Sequence, residues 1–230
     1  MAFEIDRRDI DFVLFEQLRV DEVLKEVPAY AEFERDDYEM VLSEAHKFCR
    51  EVIAPINEVG DREGAKFNGG AVSVPEEFRE AYQKYVESGW LGVGGAMEYG
   101  GGGFPSAVTC AVKEPYVGAC VAFMFTPGLT LGNCHVIEAF GTDRQKAMFC
   151  EKMTTGQWTG TMCLTEPGAG TAVGDLSTKA VKDGDMYRIS GTKCFITSAE
   201  HDMSENIIHL VLARTEGAPR GIKGISLFIV

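Results

Sequence analysis

The hydrophobic period of this chain changes once, at Gly156, and that single switch restricts the fold more than any other feature. Upstream, apolar residues recur at helical spacing: Val41, Ala45, Phe48, Cys49 and Val52, then Phe78, Ala81, Tyr82, Tyr85 and Val86. These place one apolar face on each helix. Downstream, short runs rich in β-formers are separated by turn residues, beginning with Trp158 to Leu164. Helices followed by strands predict an α+β chain with an all-α part and then an antiparallel β part. A dinucleotide-binding fold would instead alternate βαβ.

Within the helical part, residues 1–35 read as an acidic lead-in, extended or helical, with Ile10, Phe12, Leu14 and Phe15 as its apolar positions. Asp36-Asp37 can cap the next helix and Pro55 is expected to end it; residues 57–72 read as a loop. Pro75 suits a first helical turn, with Glu76 and Glu77 at the positive end of the dipole, and Gly89 stops that helix. Seven glycines between Trp90 and Pro105 rule out regular structure throughout that stretch. Ser106 to about Phe125 reads as a buried helix and Leu131 to Phe140 as another. Thr142 and Gln145 form a capping box for a helix reaching about Met153. In the β part, Lys179 to Ile189 reads as a hairpin turning at Asp183-Gly184, and Ile207–Ala213 and Ile225–Val230 as further strands. The divisions are thus 1–35, 36–157 and 158–230.

Charge narrows the partners. The formal net charge is −13, and residues 1–64 hold 18 acidic against eight basic side chains. An acidic chain repels phosphate backbones, so nucleic acid is not expected as a partner. The acidic stretch reads as a solvated face, with docking onto a basic protein as the alternative. No apolar run reaches the ~18 residues of a membrane span, and the first residues, MAFEIDRRDIDF, lack the apolar core of a signal peptide. A cytoplasmic location is expected. The seven cysteines are odd in number and form no CxxC pair, so they read as small buried residues and no metal site is expected. None of the four histidines has sequence partners that would make it catalytic.

The segment Met162-Cys-Leu-Thr-Glu-Pro-Gly-Ala-Gly-Thr171 runs from an apolar strand into a glycine-rich turn. Without Cβ atoms at 168 and 170, a ligand can touch the main chain, and bare N–H groups suit anionic oxygens such as a pyrophosphate. A tight turn without ligand is the plainer reading of this loop taken alone. Two further words flank it: Tyr99-Gly-Gly-Gly-Gly-Phe-Pro105 and Phe195-Ile-Thr197.

In this order and separation, the three words resemble the acyl-CoA dehydrogenase family of flavoproteins. The opening Arg8-Asp-Ile-Asp-Phe-Val-Leu-Phe-Glu16 and Glu51-Val-Ile-Ala-Pro-Ile-Asn57 are similar to its longer bacterial members, which act on methylthiopropionyl-CoA or on a broad range of fatty acyl-CoA. The resemblance implies FAD as cofactor. It places Met162, Cys163, Leu164 and Thr165 along the flavin edge, Gly170 and Thr171 near the pyrophosphate, Phe195 over the ring and Thr197 toward N5, with Ile196 between them also binding the cofactor. Thr171, Tyr99 and Phe104 would face the acyl-CoA. Three departures mark this chain: Phe195 where Trp is commoner, Thr171 for Ser, and Ala172 where an acidic residue usually follows. Glu166 is read as a turn residue rather than a base.

The implied reaction removes an α-proton and passes a β-hydride to flavin, leaving a trans-2-enoyl-CoA, as in β-oxidation. Its carboxylate base belongs to a downstream helical domain, so no catalytic residue is expected in this chain. By the same resemblance, 158–230 is an incomplete middle domain, the C-terminal helical domain is absent and the chain alone is inactive. The implied partners are an acyl-CoA, an electron-transferring flavoprotein and copies of itself in a homo-oligomer. An acyl-CoA oxidase-like flavoenzyme and a non-catalytic interaction module are the competing readings.

Overall fold

The computed structural model describes residues 3–230; positions 1 and 2 of the lead-in lie outside the described residues. The lead-in is helical in short pieces. Asp6 accepts from the amides of Arg8 and Asp9 to start α1 (Arg7–Asp11), a π-helical turn covers Phe12–Gln17, and α2 (Val20–Val23) follows. Leu14, Phe15 and Val20 are buried in the main core.

Helix α3 (Arg35–Phe48) is capped by a reciprocal box between Glu34 and Asp37, two residues earlier than the Asp36-Asp37 pair suggested. The chain does not stop at Pro55. A π-helical turn over Cys49–Ile53 shifts the hydrogen-bond register, and α4 (Ala54–Glu63) begins with Pro55 in its first turn, where a missing N–H costs nothing. The expected loop at 57–72 is therefore the end of α4 plus a small antiparallel hairpin, β1 (Lys66–Asn68) and β2 (Ala71–Ser73), turning on Gly69 and Gly70, both at positive φ. Helix α5 (Glu76–Glu87) follows Pro75 and buries Phe78, Ala81, Tyr82 and Tyr85.

The second half of the helical layer is α6 (Ser106–Ala119), α7 (Val121–Phe140) and α8 (Asp143–Thr154). The break expected near 126–130 instead falls at Cys120, and α7 runs through Pro127. A proline removes one helical hydrogen bond. Here burial of Phe123, Met124, Thr130 and Leu131 on either side outweighs that loss. Tyr38, Tyr82, Tyr85, Tyr116 and Phe123 form the fully buried aromatic centre, with Tyr85, Tyr116 and Phe123 meeting edge-to-face.

The β layer holds β3 (Trp158–Cys163), β4 (Lys179–Asp183), β5 (Met186–Ser190), β6 (Asn206–Thr215) and β7 (Ile225–Ile229) in one five-stranded sheet. Helices followed by a sheet is the expected order, but the pairing is mixed. β6 runs parallel to β3 and to the start of β4, while β4–β5 and β6–β7 are antiparallel. The long excursion over 164–205 carries the chain back to its starting end, which parallel neighbours require. No described helix is long and apolar enough to cross a membrane.

The two layers meet where α7 and α8 lie on β3 and β6. Asn133 Nδ2 donates to the carbonyls of Thr161 and Ile208 at 2.8 and 3.2 Å, and the Gly160 amide donates to Thr130 Oγ1 at 3.0 Å. A Cβ at Gly160 would lie 2.7 Å from Asn133 Nδ2, so a glycine is needed for this approach. Cys134, Ile137, Cys150, Met153, Ile208 and Leu210 fill the space alongside.

Candidate functional site

β3 delivers its last residues to the edge of the molecule, where Leu164 and Thr165 leave the sheet. The chain then folds into a two-residue turn: Glu166 and Ala169 exchange backbone hydrogen bonds at 3.0 and 3.1 Å across Pro167-Gly168. Gly168 and Gly170 are exposed, neither has positive φ, and a Cβ on either would meet nothing within 4 Å. Neither backbone conformation nor packing within this chain demands glycine there. The Gly100–Gly103 run is the opposite case. Gly100 and Gly103 have positive φ, and a Cβ on Gly101 would sit 2.2 Å from the Gly95 carbonyl, so these glycines serve the fold.

The segment Lys193–Ser198 comes back alongside the end of β3. Cys194 N donates to Thr165 O at 3.0 Å. Phe195 and Ser198 both take left-handed backbone, at φ 56° and 54°. Ser198 Oγ is 2.7 Å from Thr126 Oγ1 on α7, which ties the far end of the segment to the helical layer. Phe195 is 93% exposed. A large aromatic held in a strained conformation and pointed into solvent serves no packing purpose in this chain.

The structure brings together two of the three words. Met162 and Cys163 are half-buried and buried on β3, so their main chain is what they offer outward; Leu164 and Thr165 are half-buried. Phe195 and Thr197 are exposed, Ile196 is half-buried, and Gly170 and Thr171 form an exposed rim beyond the turn. The third word is split. Tyr99 packs against the cluster under α7 and α8, whereas Phe104 stacks on Phe33 at 4.8 Å in the main core.

Glu166 is the anionic centre of this region. It is 4% exposed and accepts from the amides and hydroxyls of both Ser177 and Thr178 and from Lys193 Nζ at 3.0 Å. Burial alone would raise its pKa; the bonds from Ser177, Thr178 and Lys193 win and hold it well below the usual carboxylate range. A carboxylate so saturated is no proton acceptor. Lys193, which also donates to Leu164 O at 2.9 Å, escaped the sequence reading because nothing local links position 193 to 166. Arg214 was missed for the same reason: it donates to the carbonyls of Gly174, Pro219 and Gly221 and holds the 171–175 segment against the sheet.

Profiles of known families match both halves of the chain. The N-terminal domain of acyl-CoA dehydrogenase covers residues 35–157 and the middle domain covers 161–230. This chain belongs to the acyl-CoA dehydrogenase family. It is 43% identical to the 3-methylmercaptopropionyl-CoA dehydrogenase of Ruegeria pomeroyi, over all of this chain and 39% of that protein. It is 40% identical to a butyryl-CoA dehydrogenase of Syntrophomonas wolfei, over 97% of this chain and 37% of the relative. The three-dimensional structure of butyryl-CoA dehydrogenase from Megasphaera elsdenii superposes with a TM-score of 0.70 at 26% identity, covering 86% of this chain and 49% of that one. The family therefore accounts for the helix-then-sheet order. This chain spans about two fifths of the length of the curated relatives it matches.

Proposed function

We propose that this chain forms the flavin-holding part of an FAD-dependent acyl-CoA dehydrogenase that converts an acyl-CoA thioester to a trans-2-enoyl-CoA. The observation that carries the reading is Phe195, almost fully exposed on left-handed backbone and bonded through its neighbour Cys194 to Thr165. When bound, FAD supplies the two-electron acceptor for oxidation of the Cα–Cβ bond. The residues present fit such a group. Phe195 offers a flat apolar face, and the Thr165 and Thr197 hydroxyls offer polar contacts at its edge. Gly168 and Gly170 leave open backbone suited to the anionic pyrophosphate.

In this reading Met162, Cys163, Leu164, Thr165, Gly170, Thr171, Phe195, Ile196 and Thr197 bind the cofactor, and Thr171, Tyr99 and Phe104 face the acyl-CoA. Glu166, saturated by its donors, is unsuited as the base; in the family reading, proton removal from the α-carbon falls to a carboxylate of a further helical domain. An electron-transferring flavoprotein receives the electrons, and copies of the chain assemble into a homo-oligomer. A cytoplasmic setting is supported by the cysteines, all seven of which are free in the described residues.

The test is direct. The chain is purified with excess FAD, stripped of free flavin and denatured, and released FAD is read by fluorescence. A near-stoichiometric yield is expected. No FAD, either alone or with a relative's C-terminal segment added, would refute the assignment.

A further inference from the structure

Two neighbouring residues, Lys193 and Cys194, bond two neighbouring carbonyls. Lys193 reaches Leu164 O with its ammonium at 2.9 Å, and Cys194 reaches Thr165 O with its amide at 3.0 Å. The same ammonium touches Glu166 Oε1, 3.0 Å away. Glu166 in turn takes both amides and both hydroxyls of Ser177 and Thr178, where the excursion from β3 enters β4. Three segments distant in sequence, 164–166, 177–178 and 193–194, thus converge on one ion pair with side chains 12% and 3% exposed. Removing two opposite charges from water is costly, and hydrophobic replacements of similar volume are often as stable. Such a pair is therefore poorly explained as a source of stability, but its directional bonds fix geometry.

The residue after Cys194 depends on that geometry. Phe195 sits in a backbone region unfavourable to non-glycine residues, and its exposed ring has no packing of its own to hold it. Its restraints are the bonds on either side: Lys193 and Cys194 before it, and the Ser198–Thr126 contact after it.

We propose that Lys193 and Glu166 form a clasp that fixes Phe195–Thr197 over the end of β3, making Lys193 a positioning residue for the flavin ring. The role of the clasp in seating a cofactor rests on the flavin reading above; its role in holding the loop does not. Lys193 touches no part of the proposed reacting atoms and acts through the loop it anchors.

The experiment compares this chain with K193M, the charge-free pair K193M/E166Q, and K193R. Hydrogen exchange on the flavin-free chain reports the loop. FAD titration, read by fluorescence quenching and the shape of the flavin absorption band, reports the seat. K193M and the double variant should exchange at least about tenfold faster at 194–199 with β6 unchanged, the scale expected for losing a charged hydrogen bond. Both should bind FAD about tenfold more weakly with an altered band shape, and K193R should recover both. If K193M also loosens β6, the double variant decides, since it strands no buried charge. Unchanged exchange at 194–199 in the double variant overturns the clasp. A loosened loop with wild-type FAD affinity and spectrum overturns its positioning role. A wild-type chain that takes up no FAD, alone or with a relative's C-terminal segment added, defeats the flavin reading instead, while the exchange result still decides the clasp.

Discussion

Phe195, proposed above as the flavin face, sets a folding cost against that proposed role at a single residue. A non-glycine side chain in left-handed backbone costs about 1–2 kcal/mol, and an aromatic ring in water recovers nothing from burial. The variant F195G should relieve the backbone cost and remove no packing. Its thermal midpoint should rise, by about 2–4 °C for a net gain of about 1 kcal/mol, while its retention of FAD falls. A lower midpoint would show that the ring is packed in solution and would undercut its assignment as a flavin face. At this scale the sequence showed the residue types well. Phe195, Thr197, Thr165 and the two open glycines were all marked by their words. The left-handed φ at 195 was not visible, because phenylalanine carries no signal for it. Glu166 was read as a turn residue, which it is, but its ion pair with Lys193 depends on a contact 27 positions apart.

Among the elements, α7 and β3 set the geometry of the site, and Gly160 is where they meet. A Cβ there would press on Asn133 Nδ2 and on Met153 Cε, both at 2.7 Å, and also on Asn133 Cβ at 2.9 Å. Overpacking of this kind costs roughly 1–3 kcal/mol. G160A should therefore lower the urea midpoint with little change in slope. It should also weaken FAD binding, because α7 carries Thr126, the partner of Ser198. Equal stability of G160A and wild type would mean that the helix–sheet interface is looser than these distances require. The helices were legible from their apolar stripes, since a 3.6-residue period is a local property. Their ends were less so. Pro55 reads as a stop yet lies in a first turn after a π-helical shift, and the break expected near 126–130 is bridged by one buried helix that carries Pro127 in its interior. Strand pairing was legible only for the β4–β5 hairpin, whose partners are adjacent; β6 lies between β3 and β7 through contacts that no local pattern encodes.

For the molecule as a whole, acid should act before the usual carboxylate range. Burial lowers the pKa of His46, His201 and His209 below the ordinary imidazole value, with Arg7 adding to the effect at His46. Below about pH 6.5, the unfolded chain takes up protons that these buried rings refuse. Stability then falls as pH falls, because the unfolded state binds more protons. At lower pH a second loss begins. Burial would raise the Asp202 and Glu166 carboxyls, but both are held low in the fold, Asp202 by the Val74 amide and Arg79 and Glu166 by its own donors. Their contribution is present above the unfolded carboxylate pKa and is lost as pH falls from there through the depressed folded values. Urea midpoints at pH 7.5, 6.0 and 5.0 should decrease in that order; a flat series would show that the imidazoles are solvated.

The sequence by itself determined the class of the molecule: helices first, a sheet second, and three motif words that match one enzyme family. It could do so because period, turn chemistry and motif order are properties of neighbouring residues. Only the tertiary structure decided which of those words share a site. Thr165 meets Cys194, Glu166 meets Lys193 and Thr126 meets Ser198 across long stretches of chain. Tyr99 and Phe104, five residues apart, settle into different clusters. Those outcomes depend on how α7 docks on β3 and how the 164–205 excursion returns. Both are set by burial and hydrogen bonding between distant segments, which a local pattern does not contain.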